Sequence, residues 1–187
     1  MSLDTSILWR RHDRPGHEYA RLNEHDAHWL IAGAALFEHD GMPCHLDYSV
    51  RCDKSWATQH ARVQGWVGER EVNVEITADH ARVWRLDGEI RPEVAGAVDV
   101  DLNFSPSTNL LPIRRLDLAI GQRAEVRAAW LRFPSFRLEL LVQAYTRTGE
   151  RTYVYESGGG SFVAQLEVDE GGWPLSYAGV WTAEARR

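Results

Sequence analysis

Lysine is almost missing from this chain. Lys54 is the only one among 21 basic residues, and no basic run is longer than two. Acidic residues number 27, leaving a net charge of −6. Binding to nucleic acid draws on a concentrated basic surface that releases counterions, so nucleic acid is not an expected partner. Cysteine is scarce as well. Cys44 and Cys52 give no disulfide framework, and both are expected to stay thiols in a reduced, cytoplasmic protein. Long apolar runs are absent: "WLIAGAALF" (29–37) is the most apolar stretch and is far too short to span a bilayer. Met1 to Trp9 has no cationic start followed by an apolar run, so no secretory leader is read there. No linker-like stretch reaches ten residues, and residues 1–187 are expected to form a single domain.

Catalytic and metal motifs are missing too. There is no Gly-x-Ser-x-Gly elbow and no Walker loop. "SGGGS" (157–161) lacks the following helix and the lysine of a phosphate loop, so it reads as a flexible hairpin. His25, His28 and His39 cluster in sequence without a Cys-x-x-Cys pair and read as surface histidines around a hairpin. No metal and no cofactor is expected.

What is abundant is alternation. In "HLDYSVRCD" (45–53), Leu46, Tyr48, Val50 and Cys52 share one face. In "EVNVEITA" (71–78) the apolar face is Val72, Val74, Ile76 and Ala78; in "VDVDLNF" (98–104) it is Val98, Val100, Leu102 and Phe104. One-sided alternation marks antiparallel strands with one face on a core. Ten further segments read as strands, separated by turns such as "HDGMP" (39–43), Asp87-Gly88, "SGGG" (157–160) and "DEGG" (169–172). The fold expected is all-β: a bent antiparallel meander of about a dozen strands closing toward a barrel. Strand should exceed helix by about three to one or more. A short helix between Leu111 and Ile120, with Pro112 in its first turn, is the exception. "VNVEITADHARVWRLDG" (72–88) loosely parallels "FVAQLEVDEGGWPLSYAG" (162–179), a hint of internal duplication.

Chemistry concentrates in "DLNFSPSTNLLPIRRLDLAIG" (101–121). Asp99 and Asp101 share a strand face about 7 Å apart, which suits either a solvated outer face or paired acids. In an extended chain Arg114 and Arg115 would point oppositely. One would lie against the barrel and need a partner, either in an ion pair with Asp101 or Asp117, or in an anionic or polyhydroxylated head group.

The same stretch resembles the signature of the "Putative glycolipid-binding" family, D-x-D-x-x-x-(S/T)P-x-TN-x-LP-I-R-R-L. The matching residues are Asp99, Asp101, Ser105, Pro106, Thr108, Asn109, Leu111, Pro112, Ile113, Arg114, Arg115 and Leu116. Tyr48, Val50, Asp53, Trp56 and Thr58 upstream, and "WRLDGE" (84–89), suit it as well. The resemblance covers nearly the whole chain. It implies a strongly bent antiparallel sheet forming an incomplete barrel around an apolar cavity, similar to the lipoprotein carriers of the bacterial envelope. The expected function is non-enzymatic binding of an amphipathic ligand such as a glycolipid. Trp56, Trp66, Trp84, Trp130 and Tyr145 are the wall candidates, with Asn109, Arg114, Arg115 and Asp101 supplying polar groups. The alternatives are a small-molecule enzyme with Asp99 or Asp101 as base, and a partner-binding module with a filled core.

Overall fold

Alternation in the sequence becomes alternation of burial in space. A computed structural model describes residues 5–187, and the leader reading for Met1–Trp9 begins outside the described residues. The first meander is β1 (Thr5–Arg11), β2 (Gly16–Glu24), β3 (His28–His39), β4 (Met42–Asp53), β5 (Thr58–Val67), β6 (Arg70–Ala78), β7 (Trp84–Leu86) and β8 (Glu89–Ile90). A second run follows: β9 (Asp99–Leu102), β10 (Arg123–Arg132), β11 (Arg137–Arg147), β12 (Thr152–Ser157), β13 (Phe162–Val168), β14 (Pro174–Tyr177) and β15 (Trp181–Arg186). Between β9 and β10 lies one short helix, α1 (Leu110–Leu116). Strands take 61% and helix 9% of the described residues, so the strand-rich expectation holds. Two segments differ from the sequence reading. Residues 173–181 divide into β14 and the start of β15, and β8 is a two-residue strand.

All fifteen strands belong to one bent sheet that does not close, ordered β8-β7-β6-β5-β4-β3-β2-β1-β15-β14-β13-β12-β11-β10-β9. Neighbours run antiparallel except β9 and β10, which are parallel. β9, at one end of the sheet, approaches the start of β5, the fourth strand from the other end, without forming a ladder. Thr58 N–H donates to the Val98 carbonyl at 3.2 Å, and Val100 N–H donates to Thr58 Oγ1 at 3.0 Å. The Arg82 guanidinium crosses the same seam, donating to the carbonyls of Thr58 (2.7 Å), Ala97 (3.3 Å) and Val98. Trp84 lies under that guanidinium and donates its own Nε1–H to the Ala97 carbonyl.

The hinted duplication has a local counterpart. Asp79 begins the turn from β6 to β7, and Asp169, ninety residues on (169 against 79), begins the turn from β13 to β14. In each, the aspartate carboxylate accepts the N–H four residues later, and its own N–H donates to the carbonyl of that residue. The third residue after each aspartate, Arg82 or Gly172, has positive φ.

β9 departs from the one-sided pattern. Its register with β10 places Val100 and Leu102 beside Ala129 and Leu131, on the side of the main core. Asp99 and Asp101 lie beside Ala128 and Trp130 on the other face, and Asp99 is also buried. The reading of these acids as a solvated face is therefore corrected: a strand buried on both sides can alternate apolar with acidic residues when the acids find partners.

The extended reading of the twin arginine is corrected as well. Phe104 to Ile113 are buried without interruption, first as a 3₁₀ turn at Ser107–Asn109 and then as α1. α1 ends at Asp117, whose φ is +41° and whose N–H reaches the Ile113 carbonyl. Leu110 and Leu111 enter the main core, while Ile113 joins a second cluster with Tyr145, Tyr153 and Leu166. The segment is an internal plug.

Candidate functional site

The plug leaves space beside it where strands run out. β12 pairs only with Gln143–Arg147 of β11, so residues 137–142 lack a strand partner on that side. Pairing of β13 with β14 likewise begins only at Leu166. Beside this gap is a cavity of about 450 Å³. Trp130, Leu141, Phe162, Val180 and Trp181 form its apolar wall. Asp101, Asn103, Ser105, Asn109, Tyr155 and Ser161 supply polar lining, and Arg11 and Tyr177 also line it.

Several of the polar groups are held from behind. Gln143 donates from Nε2 to Asp101 Oδ2 at 2.5 Å and to the Tyr155 hydroxyl oxygen at 3.0 Å. Burial pushes the Asp101 carboxyl up to about 6, helped by the charge of Asp99 and opposed by Gln143. Asn109 accepts the Tyr145 hydroxyl at Oδ1 (2.8 Å) and donates to the Pro106 carbonyl (3.1 Å). Those two bonds fix its side chain at the plug's turn. Arg11 is clamped by Asp13 through Nε (2.6 Å) and Nη2 (3.1 Å), with its guanidinium against Trp181 and Phe37.

Behind Ser105 sits a second polar layer. Glu18 Oε1 accepts the hydroxyls of Tyr48 and Ser105, each at 2.5 Å, and Ser105 Oγ lies 2.7 Å from Ser107 Oγ. Glu18 Oε2 is buried and without a partner among the described residues. Burial drives the Glu18 carboxyl up to about 8, against the pull of Ser105, Tyr48 and Arg11. Gly33 makes this contact possible, because a Cβ there would lie 2.5 Å from the Tyr48 hydroxyl.

Arg115 faces a different carboxylate from those expected. Its Nε and Nη2 reach the two oxygens of Asp99, at 3.1 and 2.5 Å. Burial raises the Asp99 pKa despite the nearby guanidinium. Arg114 points elsewhere, over the Trp56 ring at 5.0 Å, and that ring stacks on Trp29 at 4.7 Å. Arg114 also edges a groove of about 560 Å³ with Asp117, Arg147, Glu150 and Arg151. There Arg147 donates to the Leu118 and Glu150 carbonyls and Arg151 pairs with Glu170, so the groove is a charged surface already engaged with itself.

Of the residues picked out from the sequence, Asp101, Asn109 and Trp130 line the cavity together. Tyr145 stands behind Asn109. Trp84 belongs to the seam and Trp56 to the stack with Trp29. Trp66 lies half exposed, its ring stacked on His45. Arg115 is turned to Asp99 and Arg114 to the outer groove. Arg11, Tyr155, Phe162 and Trp181 line the cavity without having been picked out, and Ser105 was named only within the signature. Glu18 had a signal: it shares its strand face with Ala20 and Leu22.

Residues 6–183 match the family described as "Putative glycolipid-binding". The chain belongs to that family. Among solved structures it is similar to a DUF1089 family protein from Pseudomonas aeruginosa, 37% identical, with a TM-score of 0.74. The match covers 88% of this chain and 91% of that one. No curated protein matches the chain. In this family member the proline corner of the signature is the buried plug, and its first acid, Asp99, is the partner of its last arginine, Arg115.

Proposed function

We propose that this member of the glycolipid-binding family binds an amphipathic small molecule, a glycolipid being the leading class, in the cavity beside the plug. The observation that carries the reading is the two-sided lining: an aromatic and aliphatic wall faces fixed hydrogen-bonding groups. Ligand sites have this composition, mostly apolar with a few convergent polar groups, and run from about 300 to 1,000 Å³. At about 450 Å³ the cavity suits a small amphiphile, or one portion of a larger one. Asp101, Asn109 and Trp130 are the proposed contacts, joined by Tyr155 and Trp181. The family's description supports a sugar-bearing ligand, and hydroxyl-rich groups suit acceptors such as the Asp101 carboxylate.

The test is calorimetric titration with octyl glucoside below its micelle concentration, with glucose and octanol as controls. The glucoside should bind and each half should bind more weakly. Trp130→Ala should weaken glucoside binding at least about tenfold, equivalent to ~1.4 kcal/mol. Absence of glucoside binding, or unchanged affinity in the Trp130 variant, would reject the reading.

A further inference from the structure

The cavity's polarity has a direction. The buried lining residues include Ser105, Asn109 and Tyr155, and Ser105 connects to a further polar layer through Glu18. Phe162 is instead 41% exposed, and its chain neighbour Val163 is 58% exposed. The base is therefore mainly polar, with Trp181 beside it, while the rim sets the apolar Phe162 beside Asn103 and Ser161.

We infer that an amphiphile enters this cavity head first, with its polar group at the base and its hydrocarbon leaving past Phe162. The inference rests on the binding function proposed above and adds the orientation. A hydrocarbon chain pushed to the base would press on Asp101 without offering its carboxylate a hydrogen bond, and a buried polar group left unpaired is costly. A sugar there can supply that bond. Gln143 occupies Oδ2 of Asp101, and Oδ1 accepts no hydrogen bond among the described residues. That oxygen is the acceptor assigned to a ligand hydroxyl. The hydrocarbon needs no polar partner, so passage along Leu141 and Phe162 satisfies both halves of the molecule.

A bulky label locates the end that stays outside. Octyl glucoside carrying a dye at the chain terminus, and the same compound labelled at the sugar, are titrated separately against the whole protein by fluorescence anisotropy. Unlabelled glucoside is measured by calorimetry for reference. Head-first entry requires the chain-labelled compound to bind within about threefold of the unlabelled one and the sugar-labelled compound to lose about tenfold or more. The opposite ranking overturns the orientation, as does loss of binding with both labels, which would mean a fully enclosed ligand. If unlabelled glucoside itself fails to bind, the binding function falls, and the orientation with it.

Discussion

Arg115 and Asp99 form a two-pronged ion pair that ties the plug helix to the strand before it, with the carboxylate only 2% exposed and the arginine 21% exposed. Arg114, one position earlier, makes no such pair among the described residues and lies over Trp56. Successive residues of a helix point about 100° apart, so neighbours of identical chemistry serve different parts of the fold.

Their substitutions should therefore differ. Arg115→Ala leaves a buried carboxylate unpaired and should cost about 3–5 kcal/mol. Arg114→Ala removes a cation–π contact and should cost about 1–2 kcal/mol. Urea denaturation of the two variants measures the gap, and equal costs would contradict the assignment.

Glu18 should make stability fall with rising pH. Its pKa rises from 4.5 to about 8 on folding, so between those values the folded state holds a proton that the unfolded state has released. The proton-linked contribution is complete below about pH 4.5 and is lost as pH climbs through about 8, amounting to several kcal/mol. Glu18→Gln imitates the protonated carboxyl and removes this dependence. Melting temperatures from pH 5 to 9 should show the variant gaining on the parent as pH rises. A constant difference would place Glu18 outside the titration.

At the seam, Arg82→Lys should not substitute for arginine. One guanidinium serves three carbonyls, one on β5 and two just before β9, and a planar fork does this where an ammonium on a flexible stem does not. A loss of about 1–3 kcal/mol is expected from hydrogen bonds to a charged donor. Hydrogen exchange at the Thr58 and Val100 amides, both bonded across the seam, should quicken together. Unchanged exchange would mean that the seam holds without Arg82.

Most of the sheet was legible because burial alternates wherever only one face meets the core. β4 buries Cys44, Leu46, Tyr48, Val50 and Cys52 in turn, and β6 follows the same rule. Both thiols are free. Eight residues apart on one strand, they stand about 26 Å from each other, out of bonding range. β9 misled because an acid facing a buried partner and an acid facing water produce the same alternating string. The plug's helix was legible from Pro112, but its seven residues have too few turns to display a period, and the twin arginine was read as extended chain. Within the site, Asp101, Asn109 and Trp130 were visible as members of a motif or as large aromatics. Phe162 and Tyr155 were not, since nothing in a sequence tells which ordinary aromatic will stand where neighbouring strands run out.

The pairing of β1 with β15, in the middle of the sheet, sets an order of events during synthesis. When the first eight strands have emerged, the free edge of β1 still waits for a partner that lies some 170 positions further along the chain. An unpaired edge is a template for wrong associations, and contacts between distant segments form slowly. The nascent meander must therefore survive with that edge uncovered until residues 181–186 arrive. Keeping it out of aggregates until then is a task for the translating cell rather than for the finished fold.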